Sequence, residues 1–144
     1  MLAVIRIRGM VGRSKKVNDT FQKLRLRKKH VCVVMQEKKE LVGMVKKLKD
    51  FVAYGEIDKE TLKLLIEKRG NYVGDKRVKE IDDVFVENLM NGKAKLQDKK
   101  IKPFFRLHPA KGGFGRYGLK KAYTEKGALG YRGKEINSLI KKML

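Results

Sequence analysis

The sequence predicts an α+β fold, in which a two-layer sandwich of β-α-β-α-β order is followed by a helical and glycine-rich basic C-terminal extension. Over residues 1–57, apolar residues recur alternately with the two-residue period of strands and the longer period of helices. Such alternation with short connections favours a two-layer sandwich. Beyond it the pattern changes to helices, and residues 108–133 hold seven of the 14 glycines.

The three predicted strands of the sandwich cover residues 2–8, 31–36 and 51–57. Ala3, Ile5 and Ile7 alternate along the first strand and share one of its faces. Arg6 and Arg8 fall on the other face. Right-handed crossover connections would place both intervening helices on a single face of the sheet. We therefore expect the two arginines to point to the opposite face, which is left to be covered by something else.

Two helices are predicted between these strands. Asn18 or Asp19 is suited to cap the first helix. The apolar stripe of this helix consists of Val17, Phe21 and Leu24. The second helix spans about residues 41–49, and its stripe consists of Leu41, Val45 and Leu48. Residues 1–57 are thus predicted to form a core domain.

Residues 58–144 are predicted to form the extension. Its helices are expected at about residues 59–69, 76–91 and 134–143, with a short strand at 104–107. Asp58 is suited to cap the first of these helices, and Gly70 to end it. Residues 108–133 are rich in glycine and poor in apolar residues, which predicts an irregular basic segment.

The positive charge is the outlier of the composition. Lys and Arg number 37 against 16 Asp and Glu, which gives a net charge of +21. Residues 1–50 carry 15 basic and 4 acidic side chains, residues 51–100 carry 11 and 10, and residues 101–144 carry 11 and 2. Self-repulsion on this scale indicates a polyanionic partner. The two basic segments are predicted to face that partner, and the neutral middle to face solvent or protein.

Cations alternate with aromatic residues in the glycine-rich segment, a pattern typical of RNA binding. Lys and Arg neutralise phosphates, and aromatic rings stack on unpaired bases. A flexible basic tail is the alternative interpretation of this segment. The glycine-rich segment, the loop at residues 9–16 and the turn at 25–30 supply most of the predicted RNA-binding residues. The full predicted set is Arg6, Arg8, Arg13, Lys15, Lys16, Arg27, Lys28, Lys29, Arg106, His108, Lys111, Arg116, Tyr117, Lys120, Lys121 and Arg132.

Enzyme chemistry finds little support in the sequence. Residues 113–118 spell G-x-G-x-x-G, but no strand leads into the first glycine and no apolar helix follows the last. His30 and His108 have no Cys or His at metal-ligand spacing. We therefore predict a protein that is not an enzyme, with no cofactor, no metal and no small-molecule substrate.

The compartment is predicted from three further features. Cys32 is the single cysteine and lies in an apolar run, which favours a buried thiol in a reducing compartment. The apolar stretch at residues 1–7 is too short for a signal peptide and is interrupted by Arg6. No run approaches the about 20 apolar residues of a membrane span. A cytoplasmic protein with no membrane partner is expected.

Three segments resemble the large-subunit ribosomal protein family that carries the number thirty in bacteria and seven in eukaryotes. Residues 5–9, Ile-Arg-Ile-Arg-Gly, resemble its first strand. Residues 20–29, Thr-Phe-Gln-Lys-Leu-Arg-Leu-Arg-Lys-Lys, resemble its signature helix and turn. Residues 41–56 resemble its second helix and third strand. The extension resembles archaeal members through Arg106-Leu-His-Pro, Gly112-Gly113 and the final helix.

This resemblance implies a ferredoxin-like core, no catalysis, and a fixed place in the large ribosomal subunit. The implied partners are the large-subunit rRNA, the 5S rRNA and neighbouring ribosomal proteins. The alternative is a free regulatory RNA- or DNA-binding module. Such a module is expected to expose aromatic residues on its central strands, whereas the first strand offers Arg6 and Arg8.

Overall fold

The computed structural model describes residues 1–74 and 76–144. The strands in this part of the chain are Leu2–Arg6 (β1), Val31–Met35 (β2), Val52–Glu56 (β3), Phe105–Arg106 (β4) and Gly130–Tyr131 (β5). The helices are Lys15–Lys23 (α1), Lys39–Lys47 (α2), Lys59–Arg69 (α3), Asp83–Met90 (α4) and Ile136–Met143 (α5). The predicted α+β class, with a ferredoxin-like β-α-β-α-β core and a helical C-terminal part, is confirmed.

The strands form one sheet in the order β4-β2-β1-β3-β5. β1 lies at its centre and is antiparallel to both neighbours, so that Val4 is paired with Val33 on one side and Tyr54 on the other. The right-handed rule applies to crossovers between parallel strands. It therefore applies to the connection from β2 to β3, which are both antiparallel to β1 and so parallel to each other, but not to the connection from β1 to β2. Both helices of the core nevertheless pack on a single face of the sheet, where Phe21 and Val45 contact the apolar cluster around Val4.

The opposite face of the sheet, which the sequence left to be covered by something else, is covered by the extension. Ala3, Ile5 and Ile7 belong to an apolar cluster that includes residues of α3, α4 and α5. Since both faces are covered, all five residues of β1 are buried. The boundary predicted at residue 57 stays a prediction.

The orientation predicted for Arg6 is wrong. Its side chain does lie opposite Ile5 and Ile7, but that is the face on which α1 packs, and its guanidinium lies 4.4 Å from the centre of the Phe21 ring. Polar alternation along the strand suggested a face turned away from the helices. A long arginine side chain can instead place its apolar stem in the core and its head at a carbonyl cluster.

Two helices begin four or more residues away from their predicted starts. α1 begins at Lys15 with Ser14 at the N-cap position, so that Asn18 lies within the helix. The helix predicted at 76–91 begins only at Asp83. Val78 and Ile81 precede it and are buried, at 2% and 8% exposed. Their spacing matched the stripe of a helix, although the backbone there is not helical.

The glycine-rich segment contains structure that the sequence did not predict. β5 pairs in parallel with β3, and the neighbouring Ala128 and Leu129 are buried in the core beneath the sheet. Gly127 permits a close approach, since a Cβ there would lie 2.1 Å from the Lys121 carbonyl oxygen. The segment is therefore packed against the protein in this structure, in contrast to the flexible-tail interpretation.

Cys32 is fully buried in β2, as predicted, and burial raises the pKa of its thiol to about 12. None of the helices among the described residues has the length and apolar character needed to span a membrane.

Candidate nucleic-acid interface

The structure divides the predicted RNA-binding residues into two groups. Four arginines are buried or half-buried and donate hydrogen bonds to backbone carbonyls, namely Arg6, Arg8, Arg13 and Arg132. The other twelve are exposed, namely Lys15, Lys16, Arg27, Lys28, Lys29, Arg106, His108, Lys111, Arg116, Tyr117, Lys120 and Lys121. The first group organises the surface that the second group presents.

Arg6 organises the turn between α1 and β2. Its Nη1 donates to the carbonyl oxygens of Leu26 at 2.7 Å and Arg27 at 2.8 Å. The side chain is 1% exposed, and its guanidinium stacks on Phe21. Burial, and then the nearby charge of Arg13, lower the pKa of Arg6 to about 10. With its guanidinium engaged in this way, Arg6 acts on any ligand through the turn that it holds.

Arg8 and Arg132 hold the glycine-rich segment in place, Arg8 from the end of β1 and Arg132 from within the segment itself. Arg8 reaches from the end of β1 to the Leu119 carbonyl oxygen, to which Nε and Nη2 donate at 3.0 and 2.6 Å. Arg132 donates from Nε to the Ala128 carbonyl oxygen at 3.2 Å, and its guanidinium lies 4.6 Å from the Tyr123 ring centre. Burial lowers the pKa of Arg132. These two residues give the segment a defined path along the protein surface.

Arg13 holds the loop that precedes α1. Its Nε donates to the Met10 carbonyl oxygen at 3.0 Å. Its guanidinium lies 4.8 Å from the ring centre of Phe21 and 5.9 Å from that of Phe51. Burial lowers the pKa of Arg13. Phe21 is therefore contacted by two guanidinium groups, those of Arg6 and Arg13.

Four exposed cations, three of them among the predicted residues, meet in one cleft of about 500 Å³ beside β4. This β4 cleft is lined by Arg25, Arg27, Lys28, Val31, Pro103, Phe104 and Arg106. The antiparallel pairing of Val31 with Arg106 brings the turn and the extension together. No side chain of the cleft is acidic. Within the part of the chain that the structure describes, the cations of residues 25–29 form no ion pair.

A second group of exposed residues surrounds Tyr117. The ring is 43% exposed, and the Lys121 ammonium and Arg116 guanidinium lie 4.9 and 5.9 Å from its centre. Lys121 is also 3.8 Å from a Glu125 carboxylate oxygen. Lys120 lines a separate small cleft with Arg8. An aromatic ring with cations beside it is suited to contact both a base and a phosphate.

The remaining predicted residues lie apart from the β4 cleft. Lys15 and Lys16 occupy the first turn of α1. The backbone amides of His108 and Lys111 donate to the carbonyl oxygens of Met143 and Lys142 at the end of α5. These contacts fix the start of the glycine-rich segment against the last helix and leave both side chains exposed.

The middle segment neutralises its own charge. Lys59 pairs with Glu87, Lys63 with Asp83 and Lys99 with Asp82, each between elements of the extension. Hydrogen bonding to Lys63 and its positive charge lower the pKa of Asp83. The predicted contrast between a neutral middle and two basic segments therefore has a structural counterpart in these ion pairs.

Sequence reasoning missed two residues of the β4 cleft. Arg25 belongs to the basic run that ends at His30, so the run itself was the signal. Phe104 is half-buried and lines the cleft. An aromatic residue at the start of a predicted strand resembles any core residue, and its position depends on the pairing of β4 with β2, which the sequence does not reveal.

The histidine that ends the turn is held in a non-polar setting. His30 has a φ of 62°, and its ring stacks on Phe114 at 6.1 Å with an interplanar angle of 5°. Burial, and then the charge of Lys29, lower the pKa of His30 from its usual 6.5. The unfolded chain therefore takes up a proton at higher pH than the folded protein does. The contribution of His30 to stability is complete above about pH 6.5 and decreases as the pH falls towards the folded pKa.

We expect His30→Asn to weaken the pH dependence of stability. Asparagine removes the titrating group and tolerates a positive φ. Between about pH 7.5 and 5.5, the Tm of the wild type should fall more than that of the variant. Thermal unfolding across this range measures the difference, with His108→Asn as the exposed histidine control. Parallel Tm curves for the wild type and His30→Asn would contradict the expectation.

The glycine motif considered for nucleotide binding lacks the structural context that such a motif needs. Residues 113–118 lie in turns and bends, without the strand and helix that a dinucleotide fingerprint requires. Among the described residues, no three His, Cys, Asp or Glu side chains are grouped so as to hold a metal ion.

Fold and surface together define a strongly basic ferredoxin-like protein whose exposed cations include those of the core turn and of the glycine-rich segment. The family model described as ribosomal protein L30p/L7e matches residues 2–52. The large ribosomal subunit protein uL30 of Methanococcus vannielii is 47% identical over 151 residues, which cover 99% of this chain and 98% of the relative. The chain therefore belongs to the L30p/L7e family of ribosomal proteins.

Other archaeal relatives are similar over the same extent. The large ribosomal subunit protein uL30 of Methanopyrus kandleri is 41% identical over 149 residues, which cover 96% of this chain and 100% of the relative. That of Nanoarchaeum equitans is 39% identical over 150 residues, covering 97% and 96%. The similarity includes the extension, so the predicted resemblance to the archaeal type is confirmed.

Proposed function

We propose that this chain is a structural constituent of the large ribosomal subunit, in the cytoplasm, where it binds and bridges rRNA elements without catalysis. The observation that carries this proposal is the 47% identity to a large ribosomal subunit protein uL30 over 99% of the chain. The +21 charge supplies the affinity for a polyanion.

Bridging follows from the separation of the cationic surface into parts on different elements. The turn at residues 25–29 joins α1 to β2, whereas Arg116, Lys120 and Lys121 lie in the extension. The arginines that hold these parts in place are bonded to the protein's own backbone. A protein with two fixed cationic surfaces can hold two RNA segments in a set geometry, which a single flexible tail cannot do.

The large-subunit rRNA and neighbouring ribosomal proteins are the proposed partners. The 5S rRNA is proposed as a second RNA partner on the resemblance alone. The neutral middle segment, with its ion pairs between α3 and α4, is the surface proposed for solvent or protein. Binding assays with the isolated 5S rRNA and with large-subunit rRNA, run separately, test the two RNA assignments.

Sedimentation tests the proposal as a whole. The tagged full-length chain, expressed in an archaeal host, should travel with large subunits through a gradient at high salt. A structural protein is held by many contacts at once, whereas a free regulatory RNA- or DNA-binding module dissociates as its phosphate contacts are screened. Recovery of the chain only in the ribosome-free fractions would overturn the proposal and favour the regulatory alternative.

A further inference from the structure

We propose that the β4 cleft binds one unstacked RNA nucleotide, with its base against Phe104 and its phosphate between the arginines of the rim. The inference rests on the proposed RNA-binding function and adds the class of ligand that this site takes. It concerns single-stranded or bulged RNA, because a base within a duplex has no free face to offer.

The floor of the cleft is apolar and contains an aromatic ring. Val31, Pro103 and Phe104 supply it, and Phe104 packs against the apolar cluster beneath the helices of the core while remaining half-buried. A half-buried phenylalanine that packs on the core and lines the cleft can serve as a rigid platform for stacking. Such stacking accepts any base, since every base has a π face.

The rim of the cleft is cationic. Arg25, Arg27, Lys28 and Arg106 are all exposed and surround the apolar floor. The volume of about 500 Å³ lies within the range of small-molecule pockets, about 300–1,000 Å³, which is room for one nucleotide. An apolar floor with a rim of cations and no acid matches the two halves of a nucleotide, a flat base and an anionic phosphate.

The backbone conformation at Arg25 indicates that this rim position is occupied by arginine because its side chain has a function. Arg25 has a φ of 60°, a conformation that glycine adopts without steric cost and other residues adopt at a cost. Arg25 is exposed, so no core packing compensates for this cost. Strained backbone positions cluster at ligand sites, although Lys100 and Lys126 adopt the same conformation elsewhere on the surface.

Photo-cross-linking tests the site directly. The full-length chain would be bound to in vitro transcribed large-subunit rRNA, irradiated with ultraviolet light, and digested for mass spectrometry. We expect a nucleotide adduct on Phe104 or on the adjoining rim. Adducts found elsewhere in the chain, with none on this cleft in a saturated complex, would overturn the inference while leaving the RNA-binding function in place.

Binding of model RNAs to Phe104→Leu gives a second test. Leucine keeps the apolar contact and removes the ring. We expect its affinity for an unstructured oligouridine to fall about fivefold or more, since base–aromatic stacking contributes about 1–3 kcal/mol per base. Its affinity for a fully paired RNA duplex with the same number of phosphates should be unchanged. Phe51→Leu, at another half-buried ring of the same apolar cluster but outside the cleft, is the matched control.

Arg25→Gly separates binding from folding. Glycine relieves the positive φ, so the Tm should not fall, while the loss of the guanidinium should weaken oligouridine binding. If Phe104→Leu and Arg25→Gly both bind oligouridine like the wild type, the nucleotide site is refuted. The cleft would then be interpreted as a contact surface for a neighbouring protein. If the wild type binds neither RNA, the proposed function itself fails, which is a different outcome.

Discussion

Replacing Arg6 with methionine is expected to destabilise the protein by about 2–4 kcal/mol. Methionine fills a similar apolar volume, but it leaves the carbonyl oxygens of Leu26 and Arg27 without the donor that reaches both of them. A buried acceptor left unpaired costs about 1–3 kcal/mol. Relief of the guanidinium's burial, and of its repulsion by Arg13, offsets only part of this loss. Chemical denaturation of the full-length protein measures the change.

Two variants make the Arg6 measurement specific. Arg116→Met removes an exposed arginine and should change the free energy of unfolding by less than about 0.5 kcal/mol. Arg6→Lys keeps the positive charge but lacks the planar fork of donors, so it should recover less than half of the loss. Wild-type stability in Arg6→Met would mean that the two carbonyls find other partners, and that Arg6 does not hold the turn.

Arg6 also links the fold to the interface. Its own carbonyl oxygen accepts a hydrogen bond from the His30 amide at 2.7 Å, while its side chain holds Leu26 and Arg27. One residue at the end of the central strand therefore fixes both ends of the cationic turn. This arrangement explains why a charged residue occupies a buried position in a protein whose charge otherwise lies on its surface.

The sequence predicted the elements of the core because their signals are local. The helix predicted at 59–69 is observed at Lys59–Arg69, between Asp58 and Gly70, which supply clear start and stop signals. The prediction of a helix at 76–91 was wrong for its first half, because the apolar spacing there has another cause. Val78 and Ile81 are apolar because they are buried by contacts with distant parts of the chain. Their three-residue spacing resembles the apolar stripe of a helix, although no helix forms there.

Features that depend on strand pairing could not be predicted from local sequence patterns. β5 consists of two residues, and Gly130 and Tyr131 carry no alternation from which a strand can be inferred. Sequence reasoning assigned the predicted RNA-binding arginines a single role, direct contact with RNA. Whether an arginine finds backbone carbonyls or solvent depends on the fold around it, and this separates Arg6 and Arg8 from Arg27 and Arg106. Their roles in RNA binding stay predictions.

Neutralising the cationic turn is expected to have the largest effect on RNA binding. The triple variant Arg27→Gln, Lys28→Gln, Lys29→Gln removes three exposed cations that have no carboxylate partner among the described residues. If each contacts one phosphate, affinity for large-subunit rRNA at low salt should fall on the order of 10²-fold. The slope of log affinity against log salt should become less steep by about 2–3. A salt titration of rRNA binding measures both quantities.

A second triple variant with the same change in charge controls for the overall field of the protein. Lys68→Gln, Lys79→Gln, Lys93→Gln removes three exposed cations from the neutral middle segment. If binding followed net charge alone, both variants would lose affinity equally, since each lowers the charge by three. If the turn is a contact surface, the middle variant keeps most of the affinity and nearly the wild-type slope. Equal losses would contradict the division of this protein into RNA-facing and neutral surfaces, even though RNA binding itself remained.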